Sequence, residues 1–453
     1  MNIIIVGCGR VGMTLAKKLS EEGNNVTVID SCAERVKAIC NQVDVMGVIG
    51  NGASHITQEE AGISTADLLI AVTGRDELNL LSCIIAKKSV GCKAIARVRD
   101  HVYNTDAPYL KEELGLAMVI NPEQEAAEEI ARVLRFPSAL SIETFAKGRA
   151  ELIKFRIPEG SPIIGMSVKE VAAKYKCDLL FCTAERDEEA YIVKGGYVFA
   201  ERDVISIIAS PKNAQTFFTD IGFKTHSVKD AIIVGGGEMT HYLCSILESS
   251  GIKLRIIEKD KDSAELLAAE FPSATVIKAD TADQNILLEE GVDRTGAFIA
   301  LTDIDEENVI LSLFARSKGK AKVVTKIKRI DYDEVLQKLD LDTVIYPKNI
   351  TADKIIGYVR STGNTRGSNM ETLYNVIEGK IEAAEFIIKE NCKLVGVPIS
   401  EMKIRDKALI GAILRQNKVI IPRGNDTIQV GDSVILVSQD IDVYDVTDIL
   451  AED

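Results

Sequence analysis

The turn Gly7-Cys8-Gly9-Arg10-Val11-Gly12 follows the apolar run Ile3-Ile4-Ile5-Val6 and opens a stretch that places Val11, Leu15, Ala16 and Leu19 at helical spacing. In that context each glycine has a task. The first permits the tight turn. The second lets backbone N–H groups approach a pyrophosphate at the positive end of a helix, and the third lets the helix lie close to its strand. Asp30 ends the next apolar run, 23 residues beyond Gly7. A carboxylate there can accept both hydroxyls of a ribose and would repel a 2′-phosphate, which favours NAD(H) over NADP(H). The alternative for Asp30 is a solvated strand-end carboxylate. Arg10, just past the turn, can reach a terminal phosphate, which suits ADP or ATP as well.

The chain carries this unit twice. Ile3 to Gly12 returns as Ala231-Ile232-Ile233-Val234-Gly235-Gly236-Gly237-Glu238-Met239-Thr240, an offset of 228, and Asp30 returns as Glu258. With one residue more, Thr73-Gly74-Arg75-Asp76-Glu77-Leu78-Asn79 matches Thr302-Asp303-Ile304-Asp305-Glu306-Glu307-Asn308, and Arg97 falls on Lys326. A period this long means two copies of a whole unit, where a solenoid would repeat every few dozen residues. The second copy keeps Gly235 and Gly237 but has Thr240 as its third member, which predicts a helix set slightly further from its strand. Glu258 keeps the carboxylate on a longer arm. Glu238 replaces Arg10 and should tolerate extra phosphate charge poorly. This copy reads as a site with a different ligand or weaker affinity, or as one that only packs.

Other polar residues close the strands around each turn. Asn51-Gly52, and Asp280 in the copy, stand where an adenine edge would lie. Thr73-Gly74 and Thr302 close the fourth strand above ribose and phosphates, and Arg97 and Lys326 end the fifth. For each, a plain polar loop residue is the alternative to direct contact.

These sites need doubly wound sheets to position them. Apolar runs predict strands at residues 2–6, Val26–Asp30, Val43–Val48, Leu68–Val72, Ala94–Val98 and Met118–Ile120, alternating with helices. The second copy repeats the order from Ala231 to Ile345. Pro122 and Pro347 are placed to open helices ending near Leu134 and Val359. Their apolar positions suggest that they cross onto a neighbouring lobe, with packing on their own sheet as the alternative. The stretches after them differ in character: an amphipathic helix (Val168, Val171, Ala172, Tyr175), strands near Leu179–Thr183, Tyr191–Val193 and Val204–Ala209, and a last helix at Asn213–Ile221. The expected fold class is therefore α/β: two Rossmann-like parallel-sheet domains (1–135 and 229–361), each followed by a small α+β domain (141–222 and 370–453), in tandem duplication. The polar, glycine-rich run Ser361 to Asn369 reads as a linker and Phe223 to Lys229 as a hinge.

Bulk properties narrow the function. A net charge of -14 and a pI near 5.1 argue against a nucleic-acid partner and against an electrostatic hold on anionic lipid. No apolar run approaches the roughly 20 residues that span a bilayer. Met1 to Gly7 lacks a basic n-region and a cleavage site, so a soluble cytoplasmic protein is expected. The 9 cysteines include no Cys-x-x-Cys, and the 4 histidines show no metal-ligand spacing, so reduced thiols and no metal are expected.

The Gly-x-Gly-Arg-Val-Gly start, Asp30, Gly50-Asn51-Gly52-Ala53-Ser54, Ala71-Val72-Thr73 and the small following domain together resemble RCK domains, cytosolic regulators of potassium channels and transporters. Two such units over essentially the whole chain resemble the peripheral subunits of Trk-type potassium-uptake systems. The resemblance implies that Gly7, Cys8, Gly9, Arg10, Val11, Gly12 and Asp30 bind NAD(H), with ATP or ADP as alternative or competing ligands. It implies a second site at Gly235, Gly236, Gly237, Glu238, Met239 and Glu258. It further implies small domains for assembly or effector binding, a homo-oligomeric ring (a tetramer favoured), and attachment to an integral membrane potassium transporter at the inner face of the membrane. An NAD-dependent oxidoreductase is the competing class. It needs a proton donor over the nicotinamide, and neither small domain contains a histidine. A free-standing nucleotide sensor is the third class.

Overall fold

The computed structural model describes residues 1–451 except 101, 102, 104–106, 188, 224–226, 282, 329–334, 337, 338, 340, 364–367, 378, 417, 441 and 442. The first parallel-sheet lobe contains β1 (Asn2–Val6), α1 (Arg10–Glu21), β2 (Asn25–Asp30), α2 (Ala33–Gln42), β3 (Met46–Ile49) and α3 (His55–Glu60). It continues with β4 (Leu68–Ala71), α4 (Asp76–Val90), β5 (Lys93–Arg97), α5 (Ala107–Glu113), β6 (Met118–Ile120) and α6 (Pro122–Arg135). The first small lobe has β7 (Ala139–Phe145), β8 (Ala150–Arg156), α7 (Val168–Tyr175), β9 (Leu179–Arg186), β10 (Glu189–Ile192), β11 (Val204–Ala209) and α8 (Pro211–Asp220). The second parallel-sheet lobe repeats the order: β12 (Asp230–Val234), α9 (Glu238–Ser249), β13 (Lys253–Glu258), α10 (Lys261–Glu270), β14 (Thr275–Lys278) and α11 (Gln284–Glu289). Then come β15 (Ala297–Ala300), α12 (Asp305–Lys318), β16 (Lys322–Lys326), β17 (Thr343–Ile345) and α13 (Pro347–Gly363). The second small lobe has β18 (Ser368–Ile377), β19 (Ile381–Ile388), β20 (Ala408–Arg415), β21 (Lys418–Ile420) and β22 (Ser433–Gln439).

Both large sheets are parallel, in the orders β3-β2-β1-β4-β5-β6 and β14-β13-β12-β15-β16-β17. The order reverses between β1 and β4, and again between β12 and β15. At that switch the loops leaving the strand ends diverge and leave a crevice. Ile3, Ile4, Ile5 and Val6 are buried on both faces of their sheet, which is why the run has no polar alternation. The small lobes are antiparallel, in the orders β10-β9-β11-β8-β7 and β18-β19-β22-β20-β21. They pack face to face through Leu152, Ile208, Ile381, Leu414, Ile435 and Val437.

The helices after the sixth strands exchange between lobes. Asn121 caps α6, its Oδ1 accepting from the Glu123 and Gln124 amides at 3.1 and 3.0 Å, and Pro122 supplies the first-turn φ. Ala126, Ala127, Ile130 and Leu134 of α6 then bury against Ala231, Ile233, Leu243 and Leu247 in the core of the second lobe. In return Ala352, Ile355, Ile356 and Val359 of α13 bury against Ile3, Ile5, Leu15 and Leu19 of the first.

Several expected boundaries move. β3 begins at Met46 and not Val43, which instead ends α2. β7 begins at Ala139, so the small-lobe start read at Ser141 falls inside a strand. α13 continues to Gly363 and Ser368 opens β18, which leaves of the expected linker only 364–367, outside the described residues. Part of the expected hinge, 224–226, also lies outside them. The second small lobe shows no α-helix among the described residues, where an α+β repeat of the first was expected. In the first lobe Ser167 and Glu170 form a capping box that starts α7. Pro398 stands at the Ser167 position of the copy, and the chain makes only a 3-10 turn, Ile399–Glu401.

Candidate functional site

Gly7 takes φ +109°, and a Cβ on it would come within 3.0 Å of the Thr73 backbone. A Cβ on Gly12 would stand 1.8 Å from the Gly7 carbonyl oxygen, so this glycine sets how closely α1 approaches β1. Gly9 is different, because a Cβ there would meet nothing within 4 Å. Its backbone faces open space in the cleft, as the pyrophosphate reading requires. Asp30 is fixed by two amides: Cys8 N–H donates to Oδ2 and Cys32 N–H to Oδ1, each at 2.8 Å. The carboxylate therefore ties the glycine turn to the start of α2, and its remaining lone pairs face the cleft.

The cleft has a volume of about 1170 Å³ and brings together Gly7, Cys8, Gly9, Arg10, Val11, Asp30, Asn51, Gly52, Thr73, Gly74 and Arg97. Gly12 lies one residue deeper, under the turn. Gly52 has a structural reason to be glycine, since a Cβ would fall 2.1 Å from Val6 Cγ1. The Asn51 side chain accepts from the Ala53 amide at 3.0 Å. Arg97 reaches back across the sheet ends, its guanidinium donating to the Thr73 carbonyl at 3.0 Å, while its Nε is buried without a hydrogen-bond partner. Burial, then the neighbouring Arg99 charge, lowers the pKa of this guanidinium, so the site favours an added anion here.

Three features of this cleft were not foreseen. The first is Asn79, fully buried on α4. Its Oδ1 accepts from the Thr73 amide (2.8 Å) and hydroxyl (2.7 Å), and its Nδ2 donates to the Arg97 carbonyl at 2.8 Å. Asn308 makes the same contacts with Thr302 and Lys326. Its signal was the Asn79–Asn308 match within the repeat. The second is that Lys328, Pro347 and Lys348 of the second lobe form one wall of the first cleft. Linear sequence holds no sign of this, because the wall exists only once the lobes dock. The third is the position of Arg10, which lines the cleft and also donates to the Lys328 carbonyl at 2.8 Å, so that it bridges the lobes.

The second copy is built alike but closes on itself. Gly235 takes φ +103°, and the Glu258 carboxylate accepts from the Gly236 amide and, at 2.7 Å, from the Asp260 amide. Thr240 is fully buried, and its hydroxyl donates to the Gly235 carbonyl. Given the 1.8 Å clash at Gly12, α9 must stand off from its strand to admit this side chain. Gly237 precedes α9, and Glu238 in its first turn complements the helix's own positive end. Met239 is a core residue. Thr302 is buried, and Asp280 sits in the turn before α11. Lys326 is buried, its ammonium donating to the Leu301 carbonyl at 2.6 Å with Asp303 Oδ1 3.6 Å away. Burial, then the Lys328 charge, pulls its pKa down to about 8. Asp303, where the first copy has Gly74, also takes Lys328 at 2.5 Å.

Known proteins show the same plan. Residues 3–122 and 231–347 match the TrkA-N domain family, and residues 152–222 and 383–451 match the TrkA-C domain family. A Trk system potassium uptake protein TrkA homolog from Methanosarcina mazei is 29% identical over 446 residues, covering 97% of each chain. Trk system potassium uptake protein TrkA from Haemophilus influenzae is 29% identical over 446 residues, covering 97% of each chain. Among solved structures, the GsuK channel bound to NAD superposes with a TM-score of 0.63 at 16% identity, over 97% of this chain and 77% of that one, so the fold is shared. With both domain types present twice and in alternation, the chain belongs to the TrkA family of tandem TrkA-N and TrkA-C domains.

Proposed function

We propose that this chain is a nucleotide-responsive regulatory subunit of a Trk-type potassium transporter. The relatives named above are potassium-uptake proteins, and GsuK structures of the same fold hold NAD in one case and ADP in another. The observation that carries the reading is the first cleft. It combines a glycine turn open at Gly9, a ribose-facing carboxylate held by two amides, and converging cations from both parallel-sheet lobes. NAD(H) is the preferred ligand and ADP or ATP compete for the same place. The second copy, with Asp303 and Lys326 engaged within its own lobe and Glu238 in the place of Arg10, binds more weakly.

The ligand regulates and is not turned over in this reading: the relatives named above are potassium-uptake proteins, and neither small lobe contains a histidine to serve as proton donor. A nucleotide seated against both lobes favours one docking of the lobes over another, and such coupling is typically about 1–3 kcal/mol. A closed homo-oligomeric ring, a tetramer in this reading, passes the change to the integral membrane subunit from the inner face. No described helix is long and apolar enough to cross a membrane, so contact with the bilayer is through that partner.

Calorimetric titration of the full chain with NADH, NADPH, ADP and ATP tests the assignment. NADH should bind at least about tenfold better than NADPH, which corresponds to about 1.4 kcal/mol of repulsion at Asp30. Asp30→Asn should narrow that gap. Equal affinities in the unmodified protein would remove Asp30 from the ribose and overturn the site.

A further inference from the structure

The chain leaving β5 is held from both parallel-sheet lobes at Arg99. Its amide donates to Asp76 Oδ2 at 2.8 Å, and the Asp100 amide joins the same oxygen at 2.9 Å. Its carbonyl accepts from Asn121 Nδ2 and from the Tyr242 hydroxyl, each at 3.1 Å. Asn121 Nδ2 also donates to the Tyr242 oxygen at 2.8 Å, which closes the network. Tyr242 stands on α9 of the second lobe, its ring packed against the core that α6 enters. One hydroxyl therefore joins the end of β5, the capped start of α6 and a helix of the other lobe. The guanidinium of the same Arg99 lines the first cleft, where Nη2 donates to the Gly74 carbonyl at 2.5 Å and Nε lies 3.7 Å from Asp76 Oδ1. Arg97 holds the preceding carbonyl, that of Thr73. The turn that closes β4 is thus shaped by two arginines, and the backbone of one of them is fastened from the second lobe.

The repeat supplies a reciprocal contact. Lys328 is the counterpart of Arg99, as Lys326 is of Arg97, and its amide donates to Asp305 as that of Arg99 does to Asp76. The Lys328 carbonyl in turn accepts from Arg10 on α1. In each direction the carbonyl beyond the fifth strand is held by a side chain from the first helix of the other lobe. On the reading of this cleft as a nucleotide site, we propose that Tyr242 is a positioning residue for it: the hydroxyl fixes the Arg99 backbone, and through Arg99 the Gly74 turn, in the form that receives a phosphorylated ligand. Tyr242 is not among the residues that line the cleft, so its influence passes through Arg99. An arginine released at its backbone regains conformational freedom, which a bound anion must then remove, so affinity falls while the fold stands. The affinity of the first cleft therefore depends on how the second lobe is docked.

The test is Tyr242→Phe in the full chain, which keeps the ring in its core and removes one O–H donor. NADH and ADP are titrated by calorimetry well below the melting temperature. Both should bind about three- to tenfold more weakly, the effect of one lost hydrogen bond. Unchanged affinity for both overturns the role of Tyr242 and leaves the nucleotide reading intact, whereas absence of binding to the unmodified protein overturns both. Arg99→Ala, measured alongside, should weaken both ligands at least as much, and an Arg99→Ala protein with unaltered affinity also overturns the proposal. Combining the two changes separates positioning from general structure. With Arg99 already gone, Tyr242→Phe should cost little further affinity. The same severalfold loss in both backgrounds would show that Tyr242 acts through packing and not through Arg99, and the assignment would fall.

Discussion

Arg360 and Arg135 occupy matching places at the ends of α13 and α6, each tying its helix to the following small lobe, yet removal of Arg360 should cost more. Arg360 has only 2% of its side chain exposed, and it meets Glu22 Oε1 through Nε at 3.0 Å and Nη2 at 2.5 Å. Its Nη1 donates to Glu382 at 2.7 Å. Glu22 and Glu382 are themselves 7% and 20% exposed, so Arg360→Ala strands two largely buried carboxylates. Breaking a buried pair in this way costs about 3–5 kcal/mol. Arg135 is 59% exposed and makes one 3.0 Å contact with Glu151, which is itself 7% exposed, so Arg135→Ala strands one carboxylate where Arg360→Ala strands two and should cost less, about 1–3 kcal/mol. Urea unfolding followed by circular dichroism reads both, provided the denaturant slope is unchanged. The triple change Arg360→Met with Glu22→Gln and Glu382→Gln should recover most of the loss, because it removes the stranded charge along with the cation. A triple variant as unstable as Arg360→Ala would show that the loss lies in packing, including the Arg360 stack on Tyr444 at 5.3 Å, and would refute the electrostatic argument.

Two further outcomes follow from the same geometry. Gly9→Ala adds a methyl into open cleft, so the melting temperature should hold while NADH affinity drops at least about tenfold; Gly12→Ala meets the Gly7 carbonyl and should also destabilise by about 1–3 kcal/mol, measured by urea unfolding. Residues 1–222 and 229–453 expressed separately should be insoluble, each missing the helix that covers its parallel-sheet core, and should become soluble when co-expressed; a monodisperse, cooperatively melting single half would contradict the helix exchange.

Local signals carried much of this chain. The glycine turns, the strand-end carboxylates and the six-strand order follow from spacing alone, since a parallel strand buried on both faces has no polar alternation to confuse it. Legibility falls where an element depends on its surroundings. β7 carries Ser141, Glu143 and Thr144 among its apolar residues, and only its pairing with β8 makes it a strand. The helix lost from the second small lobe was visible in principle, because Pro398 replaces the capping serine. Lys328 and Lys348 could not be placed from sequence, since they reach the first cleft only after α6 and α13 have exchanged. The interlobe contact of Arg10 is hidden for the same reason: its partner is a backbone carbonyl 318 residues away.

That contact bears on why the two copies diverged. The wall of the first cleft is made partly by the second copy, so a substitution in the second lobe can alter the site of the first. In the second lobe Thr240 and Asp303 satisfy groups of their own lobe, Asp303 pairing with Lys328, whereas Lys328 and Lys348 also line the first cleft across the interface. The second copy is thus less a failed site than part of the first one. Arg10 makes the link explicit, because its Nη1 spans the interface to the Lys328 carbonyl. A site contained within one lobe could bind a nucleotide equally well but would have no means of reporting it to the other half.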